Sequence, residues 1–474
     1  MTGTQLDRTD LAARARLEEA LLRRRRGAGK AEGIRVLPRR AGELRFRAAV
    51  SQEGMWNSLA GDPGPAPVIL AGVRIHGALD VALLQDAWDA VVARHETLRS
   101  ALRIESGQLT QVVAAQLRLP VEVVELELAQ FGAFVWAEGE RPFDLARGPL
   151  ARLTLVRLAD DDHIAFMMIH HIIGDARTIE VAVRDLAACY TAAAAGDPDP
   201  LPPLPVQYAD FAAWHRARLE GPRGAELIAY WLERLAGAEP AVLPTDLEPP
   251  ASPSTLGAGL DVPMPAELYT RISALARERG TTLYTVGLAA FQALLARRSG
   301  QRDVCVRAPI SYRDATEVRD LVADFSNDVV IRTDLTANPT LRELLEQVKA
   351  RTGEDFARHD LPPHLLEPHL SDPELVTRLS HVQFTAEAET DTPPALGGLR
   401  LEAVVPERRH VLRPLSVRLR YDARRAHCIV LYRTEQFTAR RIEELMRDYH
   451  ELLAEMAAHP ENRVFGIPDP AAGS

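Results

Sequence analysis

The stretch MMIHHIIGDARTIEV, residues 167–181, sets two adjacent histidines at the end of an apolar run and an aspartate four positions after the second. An imidazole with a pKa near 6.5 can take up a proton at neutral pH, which makes His171 a candidate catalytic base. Histidine also binds metals, and His171 and Asp175 are spaced as two ligands on one helical turn. Ile172, Ile173 and Gly174 supply no third ligand nearby. A third reading is a core histidine satisfied by hydrogen bonds. Alternation along a strand points His170 and His171 to opposite faces, so one metal site takes both only if the strand breaks between them. Two histidines and an aspartate at an apolar strand end are costly to bury without partners, which is the ground for a functional reading.

The elements that must position this stretch lie on either side of it. LTLVRLADDDHIAFMMIHH reads as a hairpin turned by the acidic residues Asp160 to Asp162. Its second strand is apolar on both faces and belongs in the middle of a covered sheet. TIEVAVRDLAACYTAAAAG continues as a helix ending near Gly196. Upstream, VILAGVRIHG (68–77) has a strand's period. LDVALLQDAWDAVVARHETLRSAL then places Val81, Leu84, Trp88, Val91 and Val92 on one helical stripe.

A break rich in Pro, Ser and Gly at 241–259 separates this half from a second run of helices and strands. That run comprises AELYTRISALARERG, TLYTVGLAAFQALLARRSG, DVCVRAPIS, VLRPLSVRLRYD, AHCIVLYRT and a closing helix ARRIEELMRDYHELLAEMAAH. Helices and strands mix in both halves, so the fold class is α/β, an α+β sandwich in two lobes. The expected division is an N-terminal helix and irregular strap over 1–45, with the helix near 8–26, a first lobe over 46–220 and a second over 221–474.

At 474 residues the chain exceeds what one core usually serves. Its 46% hydrophobic and 26% charged residues are ordinary for a soluble protein, and no stretch is apolar for the length of a membrane span. The opening segment carries early acidic residues and no apolar core, so a cytoplasmic protein is expected. A net charge of −10 argues against broad nucleic-acid binding, although LLRRRRG at 21–27 is locally basic. Cys189, Cys305 and Cys428 are far apart and read as reduced structural thiols.

HHIIGDA resembles the HHxxxDG signature of nonribosomal peptide synthetase condensation domains, in the chloramphenicol-acetyltransferase-like superfamily. Other stretches resemble that family in its order: RHETLRSAL (94–102), YADFAAW (208–214), AYWLERLAG with LPTDLEPP (229–250), and DFSND (324–328) where the family has FVNT. RHDLPPHLL is similar to HQDxPFExL. The likeness covers residues 46 to 460. It implies two acetyltransferase-like lobes arranged as a V around a central tunnel, with His171 midway along it. The reaction implied is attack of an amine or alcohol acceptor on an acyl thioester carried by the 4'-phosphopantetheine of a carrier protein, with no cofactor bound by the domain itself. His171 is then the catalytic residue, as base or as positioning group. His170 and Asp175 are structural supports, and Arg313 in PISYRD is the arginine expected to pair with Asp175. Gly174 and Ala176 belong to the motif, and Asn327 to a loop near the tunnel.

Several positions depart from the family pattern. Ala176 replaces the motif glycine, Asp328 the FVNT threonine, and Arg413 stands where an acidic residue is usual. SQEGMW (51–56) keeps only the outline of the family's first motif. These changes surround the tunnel and imply an unusual substrate. The expected protein is a freestanding monomer that meets a carrier protein and a small-molecule or carrier-bound acceptor, with no metal, membrane or nucleic acid. Alternatives are an acyl-CoA-dependent acyltransferase and a catalytically silent domain that recruits another protein.

Overall fold

A computed structural model describes residues 33–61, 67–248, 250, 254–313, 315–389, 396–404 and 409–466. The helix expected near 8–26 lies outside the described residues. In chain order the strands are β1 Leu44–Arg47, β2 Val68–His76, β3 Ser100–Glu105, β4 Gln108–Val113, β5 Val121–Glu125, β6 Ala151–Ala159, β7 Asp162–His170, β8 Gly257–Pro263, β9 Asp303–Ser311, β10 Ser326–Asp334, β11 Val382–Ala388, β12 Arg400–Val404, β13 Leu415–Tyr421 and β14 Ala426–Arg433. They form sheets ordered β1-β4-β3, β12-β2-β7-β6-β5 and β10-β9-β11-β13-β14-β8.

β6 and β7 form the hairpin, and β7 lies central in its sheet, as its doubly apolar pattern requires. Met167 and Ile169 pack with Leu84, Trp88 and Val91 of the helix Val81–Arg94 and with Val181 of the helix Ala176–Ala195. On the opposite face Phe166 and Met168 meet Phe131 and Val135 of the helix Phe131–Glu140. Gly196 closes the helix Ala176–Ala195 in the left-handed region (φ 74°), where a residue without Cβ is favoured.

The helix predicted through Leu102 stops at Arg94. His95 adopts extended angles (φ −104°, ψ 106°), followed by a short 3-10 turn over Glu96–Arg99 and then β3. The cause is tertiary: the His95 ring holds Asp185 and the Val322 amide, and the Thr97 hydroxyl donates to the Val322 carbonyl.

In the largest sheet β11 runs parallel to both β9 and β13, and the other pairs are antiparallel. Phe384 of β11 stacks on Phe291 and meets Tyr449 edge-on, both from helices, so one face of this sheet is helix-covered. Alternation turns Gln383, and Arg307 opposite it on β9, to the other face. β12, from the half assigned to the second lobe, crosses to pair with β2 of the first-half sheet, Arg400 opposite His76. Cys189, Cys305 and Cys428 are free and buried, and burial pushes their thiols up to about 11, 12 and 12.

Candidate active site

β7 ends at His170, and His171 opens a 3-10 turn that runs to Ile173, so the strand does break between the two histidines. The His171 amide donates to the Pro67 carbonyl at 2.8 Å. His170 is buried edge-on against Phe143, and its Nδ1 accepts the Ile172 amide at 3.1 Å. Burial, aided by neighbouring His171, pushes its pKa down to about 4, so the ring is neutral at pH 7. His170 therefore shapes the turn.

His171 keeps 27% of its side chain accessible. Its Nδ1 is buried without a hydrogen bond, and the nearest carboxylate is Asp324, Oδ1 at 3.9 Å. The accessible part of the ring is therefore the edge away from Asp324. Asp324 is buried, and its Oδ1 accepts the Ser326 amide at 3.0 Å and hydroxyl at 2.5 Å. Desolvation raises its carboxyl to about 6, against the attraction of His171 and the Ser326 bonds. Sequence reading does not single out Asp324. The available signal is an acidic residue at the head of DFSND, but its partner lies 153 positions upstream.

Asp175 caps the helix Ala176–Ala195, its Oδ1 accepting the Thr178 amide at 2.9 Å while Thr178 Oγ1 accepts the Asp175 amide at 2.9 Å. Arg313 Nε and Nη2 grip the same carboxylate at 3.1 and 3.0 Å. The remaining Arg313 donors reach the carbonyls of Val318, Arg319, Leu321 and Ala323, and the guanidinium lies over the Phe325 ring, 4.4 Å from its centroid. Every donor has a partner, so this charge pair is buried at modest cost.

The family-like stretches converge on residues 322–325. Val322 is held by His95 and Thr97. The Ala323 carbonyl accepts Thr178 Oγ1 and Arg313, and the Asp324 carbonyl accepts the Tyr208 hydroxyl at 2.6 Å. The Phe325 amide donates to Asp175 at 3.1 Å. Gln52, in the weak first motif, takes up the other side: it caps Ala49 and donates to the Ile172 carbonyl at 3.0 Å. Glu96 and Asp210 share Arg39, which straps RHETLR to YADFAAW. These residues fix the loops that carry His171 and Asp324.

Two expectations change. Ala176 is the exposed first residue of its helix and has no positive φ, so its backbone conformation does not demand glycine. Asn327 belongs to β10 instead of a loop. Its Nδ2 donates to the carbonyls of His359 (2.5 Å) and Leu361 (3.1 Å), tying the strand to RHDLPPHLL because a buried amide must be satisfied. Gly174 is extended (φ −159°), but a Cβ there would meet Thr178 Cγ2 at 3.0 Å and Ile169 Cγ2 at 3.1 Å, so close packing explains it.

A cleft of about 400 Å³ adjoins this centre, lined by Asp175, Ala176, Ser326, Pro309, Thr385 and Tyr284 among others. Among the described residues no group of three or more His, Cys, Asp or Glu is gathered for a metal ion, and no helix is long and apolar enough to cross a membrane.

The Condensation domain profile matches residues 48–467, and the chain belongs to that family. A linear gramicidin synthase protein of Brevibacillus parabrevis is 39% identical over 302 residues, 62% of this chain and 6% of that protein. Phosphinothricin tripeptide synthetase PhsC of Streptomyces viridochromogenes is 36% identical over 369 residues, 75% of this chain and 34% of its own length. The chain thus spans about a third or less of these relatives. Among solved structures, the X-domain from teicoplanin biosynthesis superposes with a TM-score of 0.83 at 25% identity, covering 91% of this chain and 99% of that one. The SgcC5 protein from Streptomyces globisporus, solved with (R)-(-)-1-(2-naphthyl)-1,2-ethanediol and sucrose, gives 0.72 at 27% identity, covering 88% and 99%. The two-lobed α/β class expected from the sequence is the class these neighbours share.

Proposed function

We propose that the chain is an acyltransferase. It joins an amine or alcohol acceptor to an acyl group delivered as a thioester on the phosphopantetheine of a carrier protein. The observation that carries this reading is the partly open His171 ring with its buried Nδ1 turned to Asp324. A negative Asp324 favours the proton on Nδ1 and leaves the Nε2 lone pair free for the acceptor. The acceptor N–H or O–H gives its proton to Nε2 as its heteroatom bonds to the thioester carbon. Collapse of the tetrahedral intermediate breaks the C–S bond, and the thiol leaves with that proton. The likeness to SgcC5, solved with a diol, supports keeping an alcohol beside an amine as acceptor.

The test uses a carrier protein loaded with acyl thioesters and mass-spectrometric detection of product. His171→Ala is expected to lower kcat/KM by about 10²–10⁴-fold without a change in Tm. Equal turnover by both proteins removes the assignment, and turnover of acyl-CoA without any carrier favours the CoA-dependent alternative. A second reading, recruitment of another protein, is favoured by the likeness to an X-domain solved as a complex with OxyB. It predicts no turnover of any thioester by the unaltered protein.

A further inference from the structure

The face of the largest sheet opposite Phe384, where Gln383 and Arg307 point, carries a second polar group. Arg307 on β9 donates to Gln383 and lies 2.5 Å from Asp328 Oδ1, and Arg413 Nη2 is 4.0 Å from Asp328 Oδ2. Arg433, at the end of β14, lies near enough to repel the Arg413 charge, as does Arg307. Two guanidiniums therefore share one carboxylate with a third close by, and among the described residues Asp328 alone offsets the charge on Arg413. Nε of Arg307, Arg413 and Arg433, and Thr385 Oγ1 on the same face, are buried without a hydrogen-bond partner. Desolvation, with Arg307 close by, pushes Arg413 down to about 10. Burial, with Arg433, Arg413 and Arg378 beside it, lowers His381 too, so that ring adds no charge.

Buried cations without acceptors are expensive, and folded proteins keep few of them unless a ligand completes them. Arg413 Nε is buried while 27% of the side chain stays accessible, as in a group at the wall of an opening. The cluster also adjoins the reaction centre. Ser326 lines the cleft and bonds Asp324, and Asp328 follows it by two residues on the same face of β10, about 7 Å away. Pro309 and Thr385 of the cleft wall stand likewise two residues from Arg307 and Gln383.

We propose that Arg413, with Arg307 and Arg433, receives a free carboxylate carried by one of the two substrates that meet at His171. Fixed guanidinium forks suit a planar carboxylate in two-point contact. The run Asp324–Ser326–Asp328 links the cluster to the carboxylate that faces His171, so the group it receives belongs to a substrate that reaches the same centre. The inference rests on the acyl-transfer reading and names the substrate class that goes with it.

The experiment crosses two donors, succinyl and butyryl thioesters on the carrier, with two acceptor pools, free amino acids and their amides, for the unaltered protein and Arg413→Gln. The expected result is a preference for the carboxylate-bearing partner on one side of the reaction, which tells donor from acceptor. Arg413→Gln should lower kcat/KM for that partner at least about tenfold, mainly through KM, and change its neutral analogue less than about twofold. Equal losses for charged and neutral partners, or His171-dependent turnover with no carboxylate preference, overturn the proposal while leaving acyl transfer intact. Calorimetric titration with succinate separates the two readings. Binding by the unaltered protein and His171→Ala, weakened at least about tenfold in Arg413→Gln, upholds the cluster even where no thioester reacts. Absence of both succinate binding and carboxylate preference overturns it.

Discussion

Arg313 keeps 8% of its side chain accessible and Arg413 27%, and the two guanidiniums are held in opposite ways. Arg313 spends every donor: two on Asp175, the rest on the carbonyls of Val318, Arg319, Leu321 and Ala323, with the Phe325 ring beneath. Arg413 makes no hydrogen bond among the described residues and has only Asp328 at 4.0 Å, a carboxylate that Arg307 already holds. A buried charge with all partners present fixes a shape, because moving any member strands the others. A buried charge without partners fixes nothing and destabilises the free protein. The contrast assigns scaffolding to the first arginine and recognition to the second, though both are the same residue type.

The largest effect should come from breaking the satisfied side. Arg313→Ala leaves the Asp175 carboxylate buried with only Thr178 and the Phe325 amide, and takes a donor from four carbonyls, of which Val318 keeps the Leu321 amide and Ala323 keeps Thr178. Removing one partner of such a pair costs about 3–5 kcal/mol, measurable by urea unfolding. The same truncation at Arg413 should cost far less, since Asp328 retains Arg307. Comparable losses at the two sites would break the distinction.

The site between them sharpens it through pH. Asp324 ionises near 6 in the folded protein against 3.8 when exposed, so keeping it charged above pH 6 costs about 3 kcal/mol, a penalty that vanishes as pH falls through 6 toward 3.8. His170 works the other way. Held near 4 against 6.5, it contributes stability at neutral pH that is lost as pH falls from 6.5 toward 4. His215 and His364, also pushed down to about 4, add to that loss. Asp324→Asn should therefore raise stability at pH 7 by up to about 3 kcal/mol, with the gain closing near pH 4, and should fall off more steeply in acid. A gain of the same size at both pH values would mean that Asp324 does not titrate in this range.

How much of this is legible in the sequence follows from sequence separation. The hairpin, the doubly buried β7 and the helix ending at Gly196 are local patterns, and periodicity and turn chemistry carry them. His171 and Asp175 are visible because four residues separate them. Asp324 is not, since it meets His171 across 153 positions. Nor is the role of Gln52, which reaches Ile172 across 120. The early end of the helix at Arg94 has the same origin, since His95 and Thr97 answer to Val322, more than 220 positions away. The resemblance implies a loop for Asn327, whereas β10 runs from Ser326 through Asp334 in register with β9. Asp328 and Arg413 are legible as departures but not as neighbours.

The smallest expected effect tests the unsatisfied side most directly. Arg413→Met keeps the length of the side chain and fills its place with apolar atoms, while Asp328 stays paired to Arg307. Replacing a poorly compensated buried charge with an apolar group of similar volume is commonly neutral or stabilising, here by about 1 kcal/mol because Arg413 keeps some access to water. A loss of more than about 1 kcal/mol in urea unfolding would make Arg413 a scaffold residue like Arg313. The expected gain has a counterpart. A carboxylate ligand binding only the folded unaltered protein should raise its Tm with concentration and leave Arg413→Met unmoved, so the arginine that weakens the free protein is the one that lets substrate strengthen it.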